Sequence, residues 1–370
     1  MSIYPEFKTH FDDLEKRHLA LYRRLNAVKQ KGRELMECLD RELAEYSHWR
    51  FDLMDRLAEA VAGFSAQQKV GHQRHIKGTE YYRIVQEAPF YWRIMNKPEG
   101  YAGDAEMMNF IYRNRYEGKT PFGMLMHKHA TLCDACQAVR NRRHFLADQI
   151  KQKKGKVLSV AAGPALEMLD VLNADLSTDT FHFHAFDHDI KTIRNTRREF
   201  SDPRLRYVMG NVFDLIKGSY RVALPRKALL GVCEPRMDFK GWRKVLAPLK
   251  YGFETLERED YDLIYSAGLY DYIMTFPGRS EKGTIALTKN LFALVKPGGS
   301  LVIGNFSPNN PRNLRFAMEY VNDWQLICRN EAEMRQFAAA IPDREIETMT
   351  VDREPLGINY FLKIKKRMNA

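Results

Sequence analysis

The turn Ala162-Gly163-Pro164-Ala165 follows an apolar run, Val157-Leu158-Ser159-Val160-Ala161, and leads into a helix starting near Leu166-Glu167. Small side chains between a first strand and a first helix let a nucleotide-like ligand approach the backbone, where large ones would block it. A second apolar run ends in Ala185-Phe186-Asp187-His188-Asp189, so that Asp187 stands 24 residues after Gly163. This is close to the roughly 20-residue offset at which an acid meets ribose hydroxyls in doubly wound folds. Asp189, just before Ile190, suits a helix N-cap better. A third run ends in Met209-Gly210-Asn211-Val212-Phe213-Asp214, where a polar side chain beside an apolar wall could read an adenine edge. The first turn has one glycine, so the three-glycine dinucleotide fingerprint is missing and NAD is disfavoured against another adenosine cofactor.

Such residues work together only if a sheet delivers them to one edge. From residue 151 onward short apolar runs alternate with amphipathic stretches, which predicts an α/β, Rossmann-like, mostly parallel sheet covered on both faces. The strand candidates are Val157–Ala161, Phe181–Phe186, Leu205–Met209, Leu263–Ser266 and Ser300–Asn305. Glu345–Val351 and Asn359–Ile364 read as a terminal antiparallel hairpin, after a helix around Arg312–Asn322. The stretch 221–259, containing Trp242, Pro248 and Tyr251, is longer than an ordinary connection of roughly 2 to 6 residues and is expected as an insertion walling a substrate pocket.

Upstream the period is helical. Between Phe11 and Ala62, Leu14, Leu21, Val28 and Leu35 recur every seven residues, predicting a long helix or a helical hairpin broken at Gly32. Its apolar face serves either as a dimerisation arm, giving a homodimer, or as a cap packed within its own chain. Residues 63–80, with Gly63, Gly71 and Gly78, read as a connection. The stretch from Asn96 to Asp104 breaks any helix, because proline lacks a donor and small residues loosen the backbone. Helix resumes over Met107–Tyr112 and from Leu125 to Ile150, with the basic run Arg140-Asn141-Arg142-Arg143 towards its end. That run is either a solvated helix end matched to the macrodipole or a source of one arginine that grips an anion. The expected organisation is a helical arm over 1–80, a helical cap or lid over 81–150 that completes the active site, and the core over 151–370.

Lys and Arg number 58 against 47 Asp and Glu, a net charge of +11, which attracts acidic small molecules, nucleic acid and anionic surfaces alike. No recognised nucleic-acid motif appears, leaving nucleic-acid binding as the outside alternative. The apolar stretches fall short of the roughly 20 residues of a membrane helix, and no apolar signal core follows Met1, so a soluble cytoplasmic protein is expected. Five cysteines are too few for a disulfide framework. Cys133-Asp134-Ala135-Cys136 has metal-like spacing without a second pair, so structural thiols and no metal are expected.

The series Val157 to Ala165, Phe186-Asp187-His188-Asp189, Gly210 to Asp214, Tyr261 to Ser266 and Lys296-Pro297-Gly298-Gly299 resembles the ordered motifs of Rossmann-type S-adenosylmethionine-dependent methyltransferases over residues 150–365. Ser159 stands where many of that family carry an acid, and Ala161 and Ala165 replace common glycines. The resemblance implies S-adenosylmethionine as cofactor, held by Ala161, Gly163, Asp187, His188, Asn211, Val212 and Ser266. A narrower resemblance, over residues 81–365, rests on Lys97 to Asp104, Ala138 to Arg143, Ser266 to Tyr272 and Ile303 to Phe306. These segments are similar to methyltransferases assigned to making hydroxy fatty acid (3-hydroxypalmitic acid) methyl ester signals in bacteria. This implies methylation of a carboxylate oxygen.

A carboxylate, with a reference pKa near 4, is already ionised at neutral pH and needs orientation without a general base. The catalytic candidates that would orient it are Tyr101, Tyr270 and Asn305, and the substrate-binding candidates are Tyr101, Arg140, Arg143 and Tyr272. Packing is the competing role for Tyr272. Asp271 either neutralises a sulfonium or caps a following helix. An N- or O-methyltransferase of a natural product or protein is the alternative within the same chemistry.

Overall fold

The computed structural model describes residues 3–174, 181–199, 202–225 and 251–368. They form two compact units: a helical unit, Met1–Arg140 with Asn309–Gln325, and a sheet unit, Asn141–Pro308 with Leu326–Ala370. Residues 1–80 and 81–140 thus belong to one unit, which also takes in a segment from between two late strands.

In the helical unit α1 (Pro5–Asn26) and α2 (Gly32–Ala60) form a hairpin. Phe7, Phe11, Leu14, His18, Leu21 and Leu25 alternate spacings of four and three, which puts them on one buried face of α1. Leu39, Tyr46 and Leu53, each seven residues from the next, share one buried face of α2. The apolar stripe that could have formed a dimerisation arm is therefore largely covered inside its own unit, and a homodimer would need another face. Residues 63–80, expected as a connection, contain α3 (Ala66–Lys77). Its start is fixed by a capping box in which the Ser65 side chain accepts from the Gln68 main chain, and the Gln68 side chain accepts from the Ser65 N–H. Gly71 is the one glycine inside this helix, a local cost that the capping box offsets by satisfying first-turn N–H groups, while Gly63 lies before it and Gly78 closes it.

Further along come α4 (Glu80–Val85), α5 (Pro89–Asn96), α6 (Ala105–Arg113) and α7 (Pro121–Leu132). The Lys97 to Asp104 segment is a turn between α5 and α6, with Lys97 left-handed at φ 46°. Asp104 is buried, caps α6 by accepting from Met107 N at 2.9 Å, and takes Arg93 Nε at 2.7 Å. The helix expected from Leu125 to Ile150 is interrupted at Cys133, an extended residue, and restarts as α8 (Asp134–Lys153).

Among the described residues the sheet unit carries nine strands in the order β5-β4-β3-β2-β1-β6-β7-β9-β8. These are β1 (Gly155–Val160), β2 (Phe181–Asp187), β3 (Leu205–Met209), β4 (Arg221–Pro225), β5 (Tyr251–Thr255), β6 (Tyr261–Ser266), β7 (Val295–Phe306), β8 (Ile346–Arg353) and β9 (Asn359–Lys366). Strands β3, β2, β1, β6 and β7 run parallel, while β9 pairs antiparallel with both β7 and β8. The alternation of side chains splits the core: Leu158, Ile264 and Leu301 enter one apolar cluster, whereas Val157, Leu263 and Val302 enter the other. Helices α9 (Leu166–Ala174) and α10 (Ile190–Glu199) pack on the second cluster, and the helix Gly283–Phe292 packs on the first.

Two parts of the expected insertion are sheet instead of pocket wall. Strands β4 and β5 pair antiparallel with each other, and β4 with β3, extending the far edge. Residues 226–250, with Trp242 and Pro248, lie outside the described residues. No helix among the described residues is long and apolar enough to cross a membrane.

Candidate active site

The chain runs from β1 outward to β2 and β3, then returns to place β6 and β7 on the other side of β1. Open α/β sheets bind ligands at such a reversal, outside the carboxyl ends of the strands. The sequence motifs meet there. Gly163 N donates to Asp187 Oδ2 at 2.9 Å, Asp189 N donates to Asp187 Oδ1 at 3.0 Å, and Ala162 N donates to Phe186 O at 3.0 Å. Two backbone donors thus pin the Asp187 carboxylate, which is 6% exposed, at the mouth of the crevice. A carboxylate has about four lone-pair directions, so it retains acceptor capacity for two hydroxyls.

The β1–α9 turn is backbone-strained in a purposeful way. Ala161, Gly163 and Ala165 have φ of 58°, 54° and 50°. The two alanines that replace common glycines hold the glycine conformation regardless, at a cost of roughly 1–2 kcal/mol each. A Cβ added to Gly163 would meet no protein atom within 4 Å, so the turn leaves one side open to a ligand.

Around this turn, Ser266 Oγ donates to Val160 O at 3.0 Å and ties the end of β6 to β1. The exposed His188 places Nδ1 3.4 Å from Asp187 Oδ1, and that hydrogen bond raises its pKa. Beyond β3, Asn211 caps a short helix by accepting from Phe213 N at 2.9 Å. Val212 is half-buried, and Phe213 is 62% exposed, an aromatic face next to the strand end.

The arginines divide differently from expectation. Arg140 belongs to the helical unit, where Nη1 donates to Ile111 O at 3.0 Å and Thr131 O at 2.7 Å. Arg143 makes a two-pronged pair with Asp170 on α9, at 2.6 and 2.5 Å. Arg142, which sequence reasoning passed over, is buried and reaches the carboxyl end of β6, donating to Ala267 O at 3.1 Å. It could have been found: Val139, Arg142, Leu146 and Ile150 form one buried row on α8, and a charge within such a row has a task. Nearby, buried Glu167 accepts from Tyr265 Oη at 2.7 Å, and desolvation raises its pKa while Arg142 and Arg143 oppose the rise.

Tyr270 and Asn305 lie inside the fold, not on the crevice surface. Tyr270 Oη bonds to Thr288 Oγ1 at 3.0 Å, and burial raises its pKa. Asn305 Nδ2 donates to Phe306 O and Ile327 O at 2.8 and 2.9 Å, while its Oδ1 accepts from Arg329 Nη1 at 2.8 Å. Tyr272, at the end of the same short turn, is 43% exposed. Half-buried Tyr101 lies in the helical unit.

Asp271 accepts from Phe306 N at 2.7 Å, joining the segment after β6 to the end of β7. Burial pushes its pKa up to about 7, against the opposing pull of that hydrogen bond and of Arg142 and Arg329. A carboxyl group whose folded pKa exceeds its unfolded value leaves the native state binding more protons. Its stabilising contribution is full below about pH 4 and is lost as pH rises to about 7. Asp271→Asn should therefore flatten the fall of Tm between pH 5 and 7 by removing one titrating group; an unchanged slope would show that Asp271 does not titrate there.

No family model and no curated protein matches the chain. Among solved structures it resembles a Bordetella parapertussis chain described as a possible exported protein, with 15% identity, 87% of this chain and 97% of that one covered, and a TM-score of 0.50. It is also similar to the S-adenosylmethionine-dependent methyltransferase SibL in its apo form (12% identity, 84% and 77% covered, TM-score 0.41). A third is the Burkholderia thailandensis 1,6-didemethyltoxoflavin-N1-methyltransferase with bound 1,6-didemethyltoxoflavin and S-adenosylhomocysteine (14% identity, 62% and 78% covered, TM-score 0.36). The likeness is one of fold.

Proposed function

We propose that the sheet unit is an S-adenosylmethionine-dependent methyltransferase that methylates a carboxylate oxygen of a hydroxy fatty acid or similar small acid. The observation that carries the cofactor is the pinned Asp187 carboxylate beside the open Gly163 turn at the sheet's reversal point. Asp187 accepts the two ribose hydroxyls, with His188 beside it. The Gly163 turn admits the ligand to the backbone near Ala161 and Ser266. Asn211 and Val212 edge the adenine, and Phe213 offers it an apolar face. Arg142 takes the methionine carboxylate, the charge that its place at the end of β6 best serves.

When bound, S-adenosylmethionine supplies a sulfonium methyl that an in-line carboxylate oxygen takes, with release of a neutral thioether. The chain's own task is to orient that oxygen and keep water out. Exposed Tyr272 is the acceptor contact of this reading within the sheet unit; Tyr270, Asn305 and Arg143 are positioning residues that hold the elements bearing them. The acceptor class rests on the resemblance of Lys97 to Asp104, Ser266 to Tyr272 and Ile303 to Phe306 to the ester-forming family. A bacterial, cytoplasmic setting and a role in small-molecule biosynthesis belong to the same reading.

Calorimetry with S-adenosylmethionine tests the cofactor, and transfer of labelled methyl to free hydroxy fatty acids, their amides and unrelated amines tests the acceptor. Saturable binding and label on the free acids are expected. Label on amines alone would replace the ester reading by N-methylation. A nucleic-acid gel shift that weakens steeply with salt, without cofactor binding, would favour the nucleic-acid alternative.

A further inference from the structure

The helical unit encloses a cation without an acid. Arg50 on α2 is 3% exposed, and no Asp or Glu among the described residues pairs with it. Burial works against its charge, and the side chains that act in its favour are Tyr91, Tyr46, Tyr81 and Cys133. Among the described residues Tyr91 Oη accepts from Arg50 Nη2 at 3.2 Å and the Tyr46 and Tyr81 hydroxyls lie beside the guanidinium, while Arg50 Nε has no partner. Buried guanidinium groups are costly unless paired, so an arrangement of this kind calls for an anion.

The surroundings have the donors for one. Among the described residues fully buried Tyr81 Oη has no hydrogen-bond partner, and neither ring nitrogen of His129, 3% exposed, has one. His18 spans Leu14 O and Tyr46 Oη at 2.7 and 3.0 Å, and its ring lies 4.7 Å from that of Tyr81. The His129 ring lies 4.7 Å from that of Tyr46, which ties it to the same group. We propose that Arg50, Tyr81 and His129 form a binding site for a monocarboxylate, whose oxygens take hydrogen bonds from the guanidinium, the phenol and the imidazole.

Charge decides the class. Burial and the guanidinium lower both imidazole pKa values, that of His18 to about 3, so neither ring adds a second positive charge to that of Arg50 near neutrality. One negative charge balances it, whereas a phosphate dianion would leave an excess. Aromatic edges frame the group, among them half-buried Trp49, whose ring lies 5.0 Å from both His18 and Tyr46. The site uses the helical unit alone and does not depend on the methyl-transfer reading.

The full-length protein, without S-adenosylmethionine, should bind butyrate or decanoate saturably, read by calorimetry and by indole fluorescence, while the matching alcohols and inorganic phosphate bind more weakly. Arg50→Met should weaken carboxylate binding by at least about tenfold, and Tyr81→Phe, which keeps the ring, by about threefold or more. Asp187→Ala should bind the carboxylate as the parent protein does, which separates this site from the proposed cofactor site. If Arg50→Met does not fold, Tyr81→Phe decides. The proposal is overturned by no saturable carboxylate binding up to about 10 mM, by alcohols or phosphate binding as well as the acids, or by unchanged affinity in the folded variants.

Discussion

Asp187→Ala should lose S-adenosylmethionine affinity by about 10- to 100-fold, the range set by roughly 1.5–3 kcal/mol for a hydrogen bond to a charged group. It should also lower the Tm of the unliganded protein. The carboxylate accepts from Gly163 N and Asp189 N, so truncation leaves both backbone donors without their acceptor as well as removing the proposed ribose contact. These two effects separate experimentally. A ligand that binds the native state raises Tm by mass action, so the parent should gain stability with added cofactor and the variant should gain almost none. A folded Asp187→Ala protein with parental affinity would confine Asp187 to holding the turn, and the proposed cofactor site would fall with it. Gly163→Val adds the complementary case: the protein leaves its Cβ free, but φ of 54° resists a branched residue and the side chain projects where the ligand must come.

The parallel strands were legible because burial on both faces writes continuous apolar runs, and Leu205–Met209 matches β3 at both ends. Strands β4 and β5 were not, since they lie towards a sheet edge, where fewer positions must be apolar. The Gly163 and Asp187 pairing was readable from spacing alone, as both groups are delivered by neighbouring strand ends. Arg142 was hidden by its company: Arg140 and Arg143 made the run look like an ordinary basic helix end. The structure separates the three by facing, with one toward carbonyls of the helical unit, one toward Asp170 and one toward Ala267. Tyr270 and Asn305 show the converse. Polar residues at the ends of strands advertise chemistry, yet both spend their hydrogen bonds within the core, a partition that depends on Arg329 from a distant segment and could not be read locally.

Gly304→Ala should destabilise the sheet unit and weaken the cofactor site at the same time. Gly304 lies in β7, where Ile303 pairs with Ser266 of β6 and Gly304 itself pairs with Phe361 of β9. A Cβ there would sit 2.4 Å from Ala267 O, a backbone atom that cannot swing aside as a side-chain tip would. The strand has no room to retreat, because its other edge is bonded to β9. Overpacking of a tight interior costs about 1–3 kcal/mol, and the strain falls on a carbonyl that accepts from Arg142. If Arg142 takes the methionine carboxylate, moving Ala267 O moves its guanidinium, and S-adenosylmethionine affinity should fall along with Tm. Arg142→Met provides the control: it should reduce affinity through loss of the charge while leaving β7 undisturbed. Should Gly304→Ala lower Tm without changing affinity, while Arg142→Met also binds normally, Arg142 would be a strut for the end of β6 and the methionine carboxylate would have to be met by another group.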